Sequence, residues 1–312
     1  MSAELSALKG HDFLSSADFN GAQTQALLTL AADIKAGRRN PRLDGKVLGL
    51  IFSKASTRTR VSFTVAMARL GGQTIDLNPS VSQVGRGEPI KDTARVLSRY
   101  LNAVAIRTFA QSDLQAYADA ASIPIINALT DLEHPCQALA DYLTMQEAFG
   151  SLEGLTMTYV GDGNNVAHSL LIAGALLGVN VRIGCPAGFY PLEKVVAQAK
   201  AIAAGRSEIV ISEDPAEAVR GAHAVYTDVW ASMGQEEEQS TRVQAFRGFC
   251  VDESLMRHAD AKAIVLHCLP AHRGEEISAA VMESSASRIF DQAENRLHAQ
   301  QALLATLLGA EG

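Results

Sequence analysis

Short apolar runs that alternate with helix-like stretches constrain this chain more than any other feature. VLGLIF (47–52), AVAIR (103–107) and PIINA (124–128) are each bounded by turn residues and separated by segments of helical spacing. A helix-like segment over 136–148 ends at Gly150. The alternation then restarts with LTMTYVGDG (155–163), VNVRIGCP (179–186), EIVISED (208–214), AVYTDVW (224–230) and AIVLHCLP (263–270). Continuous short apolar strands of this kind belong in parallel sheets covered by helices on both faces. Two successive sets predict two α/β domains, each a doubly wound, mostly parallel sheet. A length of 312 residues agrees with two domains of about 150 each. The tail AENRLHAQQALLATLLG (293–309) carries leucines at 297, 303, 304, 307 and 308, which fits an amphipathic helix packing back on the body.

Charge and composition remove several functional classes. The formal net charge is −7, which argues against nucleic acid or an anionic membrane as partner. Any anion must therefore be held by a local cluster within an acidic whole. No run approaches the roughly 18 apolar residues of a membrane span. The opening MSAELSALKGHDFLSSADFN has neither a secretory nor a transit character, so a cytoplasmic location is expected. Cys136, Cys185, Cys250 and Cys268 form no CxxC pair and read as reduced thiols. His134, Cys136, His267, Cys268 and His272 lack structural-zinc spacing, so no metal is expected. GDGNNV (161–166) follows a strand as a dinucleotide fingerprint does, but Val166 replaces the third glycine. The next strand also ends in Cys185-Pro186 where a ribose-binding acid is needed. No cofactor is expected.

Four clusters could carry chemistry. In FSKASTRTRVSF (52–63), Ser56 is placed as an N-cap, and Thr57, Arg58 and Thr59 form a first helical turn that closes at Gly71-Gly72. Free N–H groups at such a turn attract anions, and hydroxyls with a forked guanidinium add donors suited to phosphate. Two arginines there oppose the helix dipole unless an anion is present. The competing reading is an ordinary capped helix with surface arginines. DLEHPCQALADY (131–142) sets His134 and Gln137 at a helix start, where imidazole can donate to a carbonyl and the amide can accept, or where both simply cap. AVYTDVWASMG puts Asp228 at a strand end, ahead of Ser232 and Met233. Strand carboxyl ends are where open α/β sheets bind ligands, although Asp228 could equally be a turn cap. VLHCLPAH places His267, Cys268 and Leu269 at another strand end, before Pro270. Two polar segments, 76–92 and 231–249, are long enough to be binding loops or lids, with EEE (236–238) as a solvated face.

Taken together, STRTR (56–60), HPCQ (134–137), DVWASMG (228–234) and HCLPA (267–271) resemble the aspartate/ornithine carbamoyltransferase family, in order and spacing along nearly the whole chain. DxWxSMG with HCLP points to the ornithine branch. The resemblance implies a carbamoyl-phosphate-binding domain (1–133 with the C-terminal helix 291–312 returning to it), a linking helix (134–149) and an ornithine-binding domain (150–290). It implies carbamoyl transfer from carbamoyl phosphate to the δ-amine of L-ornithine, in a homotrimer with shared sites. Ser56, Thr57, Arg58, Thr59, Gln83, Arg107, His134, Gln137, Cys268, Leu269 and Arg296 would hold carbamoyl phosphate, with Gln83 reaching a neighbouring subunit. Asn165, Asp228, Ser232 and Met233 would hold ornithine, and Arg58, Arg107, His134, Asp228 and Cys268 would be catalytic. Arg60 is left to a structural role. The alternatives are a carbamoyltransferase for another amine, such as putrescine or an N-acylornithine, and a non-catalytic anion-binding relative.

Overall fold

The computed structural model describes residues 2–54, 56–78, 87–231 and 239–310. Two compact units divide the chain: Met1–Ala140 with Asn295–Gly312, and Asp141–Glu294. Both are α/β, with a parallel sheet flanked by helices.

In the first unit the sheet contains β1 (Val47–Phe52), β2 (Gln73–Leu77), β3 (Ala103–Arg107) and β4 (Ile125–Leu129), in the order β2-β1-β3-β4. Strand β1 pairs β3 in a register that puts Phe52 opposite Arg107. Ile51, Val104, Ile106 and Ile125 pack with Leu101, Leu114 and Tyr117 into the core on one face. The chain leaves β1 for β2 on one side and then crosses to β3 on the other. The strand order therefore reverses between β1 and β3, and their carboxyl ends open the crevice where such sheets bind ligands.

Strand β2 is the element that apolar patterning misses. QTIDL lies at the sheet edge and is largely exposed, so nothing in its composition marks it as buried. The helix Thr57–Arg69 ends as expected: Gly71 follows at φ +85°, a left-handed conformation that glycine adopts without strain.

In the second unit β5 (Thr156–Val160), β6 (Asn180–Gly184), β7 (Ile209–Ser212), β8 (Ala224–Thr227) and β9 (Ile264–His267) run parallel in the order β7-β6-β5-β8-β9. Here the order reverses between β5 and β8. Val160 pairs with Thr227 and Thr227 with His267, so the residues that follow all three strands emerge at one edge. Trp230, Phe246, Phe249, Val251 and Val265 are among the core residues that cover one side of this sheet. The helix Asn165–Leu177 is buried along almost its whole length.

The long segment expected over 231–249 includes a helix, Gln239–Ala245, and residues 232–238 lie outside the described part. A helix spans Pro135–Phe149, and the division between the two units falls within it, after Ala140. The C-terminal helix is Ile289–Leu308, and from Asn295 onward it packs in the first unit. Leu303, Leu304, Leu307 and Leu308 are buried as the spacing requires, whereas Leu297 is only half-buried. The amphipathic reading needs one correction. Asn295, Gln300, Gln301 and Thr306 are buried as well, so the polar side does not face solvent. Asn295 accepts a hydrogen bond from Lys35 Nζ at 2.8 Å. Among the described residues, no helix is long and apolar enough to cross a membrane. All four cysteines are free thiols.

Candidate active site

The first cluster forms at the carboxyl ends of β1 and β3. Ser56 stands at the N-cap of the helix Thr57–Arg69 with extended backbone, but its side chain does not cap the helix. Its Oγ instead accepts from Arg107 Nη1 at 3.3 Å, tying the exit of β3 to the start of the helix. The first-turn N–H groups thus keep the polarity that favours an anion. Thr57 and Arg58 are exposed at this turn, while Thr59 is buried. The Thr59 hydroxyl accepts from Arg296 Nη2 at 3.0 Å, and Arg296 Nη1 donates to Gln137 Oε1 at 2.5 Å. A single buried guanidinium on the C-terminal helix therefore orients one residue from the STRTR turn and one from HPCQ.

His134 precedes the helix Pro135–Phe149 and is buried. The turn that presents it is fixed by its neighbour: the Glu133 carboxylate accepts from Ser15 Oγ at 2.5 Å and from the Ser16 N–H at 3.0 Å. Burial, with help from Arg296, Arg107 and Arg58, holds the His134 imidazole well below its ordinary range. The ring is therefore neutral at physiological pH and can donate one N–H to a carbonyl oxygen. Arg60 faces elsewhere. It forms an ion pair with Asp76 on the edge strand and lies 5.1 Å from the centre of the Phe52 ring.

The second cluster forms at the carboxyl ends of β5, β8 and β9. Asp228 directly follows β8 and is buried. Its Oδ1 accepts from Cys268 Sγ at 3.0 Å and its Oδ2 from Asn164 Nδ2 at 3.3 Å. Burial, reinforced by the Asp228 carboxylate, pushes the Cys268 thiol well above its ordinary range, so the sulfur keeps its proton. Asn164 also caps the helix Asn165–Leu177 by accepting from the Val166 and Ala167 N–H groups. The predicted Asn165 is the first residue of that helix, next to the asparagine that reaches Asp228.

The HCL segment is held by three bonds to one histidine. The His267 N–H donates to Gln292 Oε1 at 2.8 Å, and its Nδ1 accepts from the Leu269 N–H at 2.8 Å. Its Nε2 lies 3.0 Å from Glu276 Oε1. Because Nδ1 accepts, Nε2 carries the proton and donates to the carboxylate. Leu269 has φ +59°, a left-handed conformation that costs a branched residue about 1–2 kcal/mol and that these bonds hold in place.

Sequence reasoning missed Asn164, Glu276 and Gln292, which act on the named residues rather than standing in a motif. Arg242 was missed too; it donates to Asp162 Oδ2 at 2.8 Å and to the Trp230 carbonyl at 2.9 Å, bracing the segment after Asp228. The neighbouring Gly163 has a packing reason for its presence, because a Cβ there would lie 2.2 Å from the Pro191 nitrogen. Gln83, Ser232 and Met233 lie outside the described residues.

Asp228, His267 and Cys268 place their potential ligand atoms within 4.8 Å of one another, and so do His272, Glu275 and Glu276. In the first group both His267 ring nitrogens are already engaged.

Residues 11–147 match the family described as "Aspartate/ornithine carbamoyltransferase, carbamoyl-P binding domain", and residues 153–307 match its "Asp/Orn binding domain". A protein of Parasynechococcus marenigrum named ornithine carbamoyltransferase is 70% identical over 99% of this chain and 97% of its own length. One of Thermosynechococcus vestitus with the same name is 62% identical over 97% and 98%. The solved ornithine carbamoyltransferase of Gloeobacter violaceus superposes with a TM-score of 0.88 at 56% identity, covering 96% of this chain and 98% of that one. The Pyrococcus furiosus enzyme superposes with a TM-score of 0.93 at 48% identity, covering 98% and 99%. With family domains that together span nearly the whole chain and relatives this close, the chain belongs to the aspartate/ornithine carbamoyltransferase family.

Proposed function

We propose that this chain transfers the carbamoyl group of carbamoyl phosphate to the δ-amine of L-ornithine, releasing L-citrulline and phosphate, as a step of arginine biosynthesis. The observation that carries the reading is the division of chemistry between the two clusters. One collects arginines, hydroxyls and a neutral imidazole; the other presents a buried carboxylate and a protonated thiol.

The amine nitrogen attacks the carbamoyl carbon, a C–N bond forms, and the carbonyl becomes a tetrahedral oxyanion. The oxyanion collapses as the C–O bond to phosphate breaks. Thr59, Arg107 and His134 serve as donors to the carbonyl oxygen, Gln137 accepts from the carbamoyl –NH2, and Ser56, Thr57, Arg58 and Arg296 hold the phosphate. Preorganised donors of this kind contribute about 3–4 kcal/mol each to such barriers. Asp228 binds the substrate's ammonium group, with Asn165 beside it, and Cys268 and Leu269 lie close to the reacting centre. Gln83, Ser232 and Met233 join these sets on their sequence pattern alone.

The δ-amine has a Lys-like pKa of roughly 10 and must attack as the free base. Its proton leaves to the departing phosphate or to solvent, while Asp228 and Cys268 orient the nitrogen.

The proposal extends to a cytoplasmic homotrimer with shared sites. In support, the first unit exposes Val61, Val96 and Tyr100, apolar area suited to burial against another copy. A native mass of three times 33.1 kDa is expected.

An amine panel tests the substrate. Purified protein is mixed with carbamoyl phosphate and ornithine, putrescine or an N-acylornithine, and the carbamoylated products are measured. Turnover with ornithine is expected; turnover confined to another amine would refute the assignment.

A further inference from the structure

The turn that follows the HCLP segment gathers ligand chemistry that the proposed reaction does not use. His272, Arg273, Gly274 and Glu275 form a tight turn, closed by the Glu275 N–H donating to the His272 carbonyl at 3.0 Å. Gly274 has φ +92°, the sign that the third position of a type II turn demands. The turn brings potential ligand atoms of His272, Glu275 and Glu276 within 4.8 Å of one another. His272 Nδ1 lies 3.9 Å from Glu275 Oε2 and 3.9 Å from Glu276 Oε2. The His272 N–H also donates to Glu276 Oε1 at 2.6 Å, which holds the two residues in register.

Glu276 separates this group from ordinary surface acids, because its side chain is fully buried. Its two oxygens differ. Oε1 accepts from the His272 N–H and from His267 Nε2 at 3.0 Å. Oε2 is equally buried, has no hydrogen-bond donor among the described residues, and faces His272 Nδ1. A buried carboxylate oxygen that nothing satisfies is costly. The neighbouring cation does not serve it, since Arg273 Nη2 donates to Glu283 Oε1 at 2.9 Å. Ligand atoms about 2.0–2.2 Å from a tetrahedral ion lie roughly 3.3–3.6 Å apart, so 3.9 Å spacings close with a small turn of the exposed His272 and half-exposed Glu275 side chains.

We propose that His272 Nδ1, Glu275 and Glu276 Oε2 form a binding site for a divalent transition-metal ion, zinc foremost. Two carboxylates balance the double charge, the imidazole favours zinc and its neighbours over magnesium or calcium, and water completes the fourth position. The donors on Oε1 orient the Glu276 carboxylate as outer partners orient metal ligands elsewhere. The bound ion clips the exposed turn to a buried carboxylate. The site does not depend on which amine the protein carbamoylates.

The test is titration of the untagged, chelator-stripped protein with Co2+, whose visible absorption reports its ligands, followed by displacement with Zn2+. One Co2+ per chain is expected, with the bands of a nitrogen–oxygen site and no thiolate-to-cobalt charge transfer. His272→Ala and Glu275→Gln change side chains that reach solvent, so both variants should fold. Each should weaken binding about 100-fold, the upper end of what loss of an outer partner alone costs. Cys268→Ala should leave affinity and spectrum unchanged, which separates this site from the group of Asp228, His267 and Cys268. Zn2+ should raise the melting midpoint of the unsubstituted protein and not that of His272→Ala. The proposal is overturned if no Co2+ binds, if His272→Ala and Glu275→Gln bind it as before, or if Cys268→Ala abolishes the spectrum.

Discussion

Replacing Arg296 by methionine tests the first cluster at its centre. Methionine keeps much of the apolar stem and removes the guanidinium. Arg296 is 5% exposed, and its guanidinium donates to Gln137 Oε1 at 2.5 Å and to Thr59 Oγ1 at 3.0 Å. Hydrogen bonds to a charged group are worth about 1.5–3 kcal/mol each, offset here by removal of a buried charge. A net loss of about 1–3 kcal/mol in unfolding free energy is expected, read by urea denaturation. If Arg296 also binds the phosphate, loss of that one charged bond weakens carbamoyl phosphate by the same 1.5–3 kcal/mol, roughly 10- to 150-fold in kcat/KM. A third effect is independent of both. Arg296 is the foremost charge holding His134 neutral, after burial itself. Its removal raises the His134 pKa, which NMR titration of the imidazole detects. The reasoning is refuted if Arg296→Met leaves kcat/KM for carbamoyl phosphate and the His134 titration where they were.

Further outcomes follow from the same geometry. Arg58→Gly, at an exposed first-turn position, should cut kcat/KM about 10³-fold or more while the melting curve stays in place; a small kinetic loss would remove Arg58 from the phosphate site. His134 has a folded pKa below its unfolded value near 6.5. The unfolded chain therefore binds the proton first, and stability falls as pH drops below about 6.5, by at most roughly 1.4 kcal/mol per pH unit from this group. His134→Asn should flatten that part of the stability–pH curve, and an unchanged slope would assign it to other groups. For the amine, kcat/KM for ornithine should rise with pH toward the free-base pKa of roughly 10, and a profile with no ascending alkaline limb would contradict attack by the neutral amine.

The legibility of the fold in the sequence divides along physical lines. VLGLIF and AVAIR were readable because interior parallel strands are apolar on both faces, and their observed limits coincide with the runs. QTIDL was not, because an edge strand lacks that signal and borrows its order from Val47–Phe52 beside it. The C-terminal helix was readable from its leucines, but its buried polar side was not. Asn295 and Arg296 are buried by partners far away in sequence, Lys35, Gln137 and Thr59, which no periodicity reveals. The site divides similarly. Residues in short motifs, such as Ser56, His134, Asp228 and Cys268, could be named in advance. Asn164 could not, since it matters through its contact with Asp228.

The central claim is that one carbamoyl group passes intact from phosphate to the δ-amine of ornithine. Carbon-13 NMR of a reaction begun with carbonyl-labelled carbamoyl phosphate and unlabelled ornithine follows that group directly. The account predicts that the label appears in the ureido carbon of citrulline, with one phosphate released per citrulline formed. Label that appears only in the bicarbonate of spontaneous breakdown, at the rate seen without protein, would contradict it.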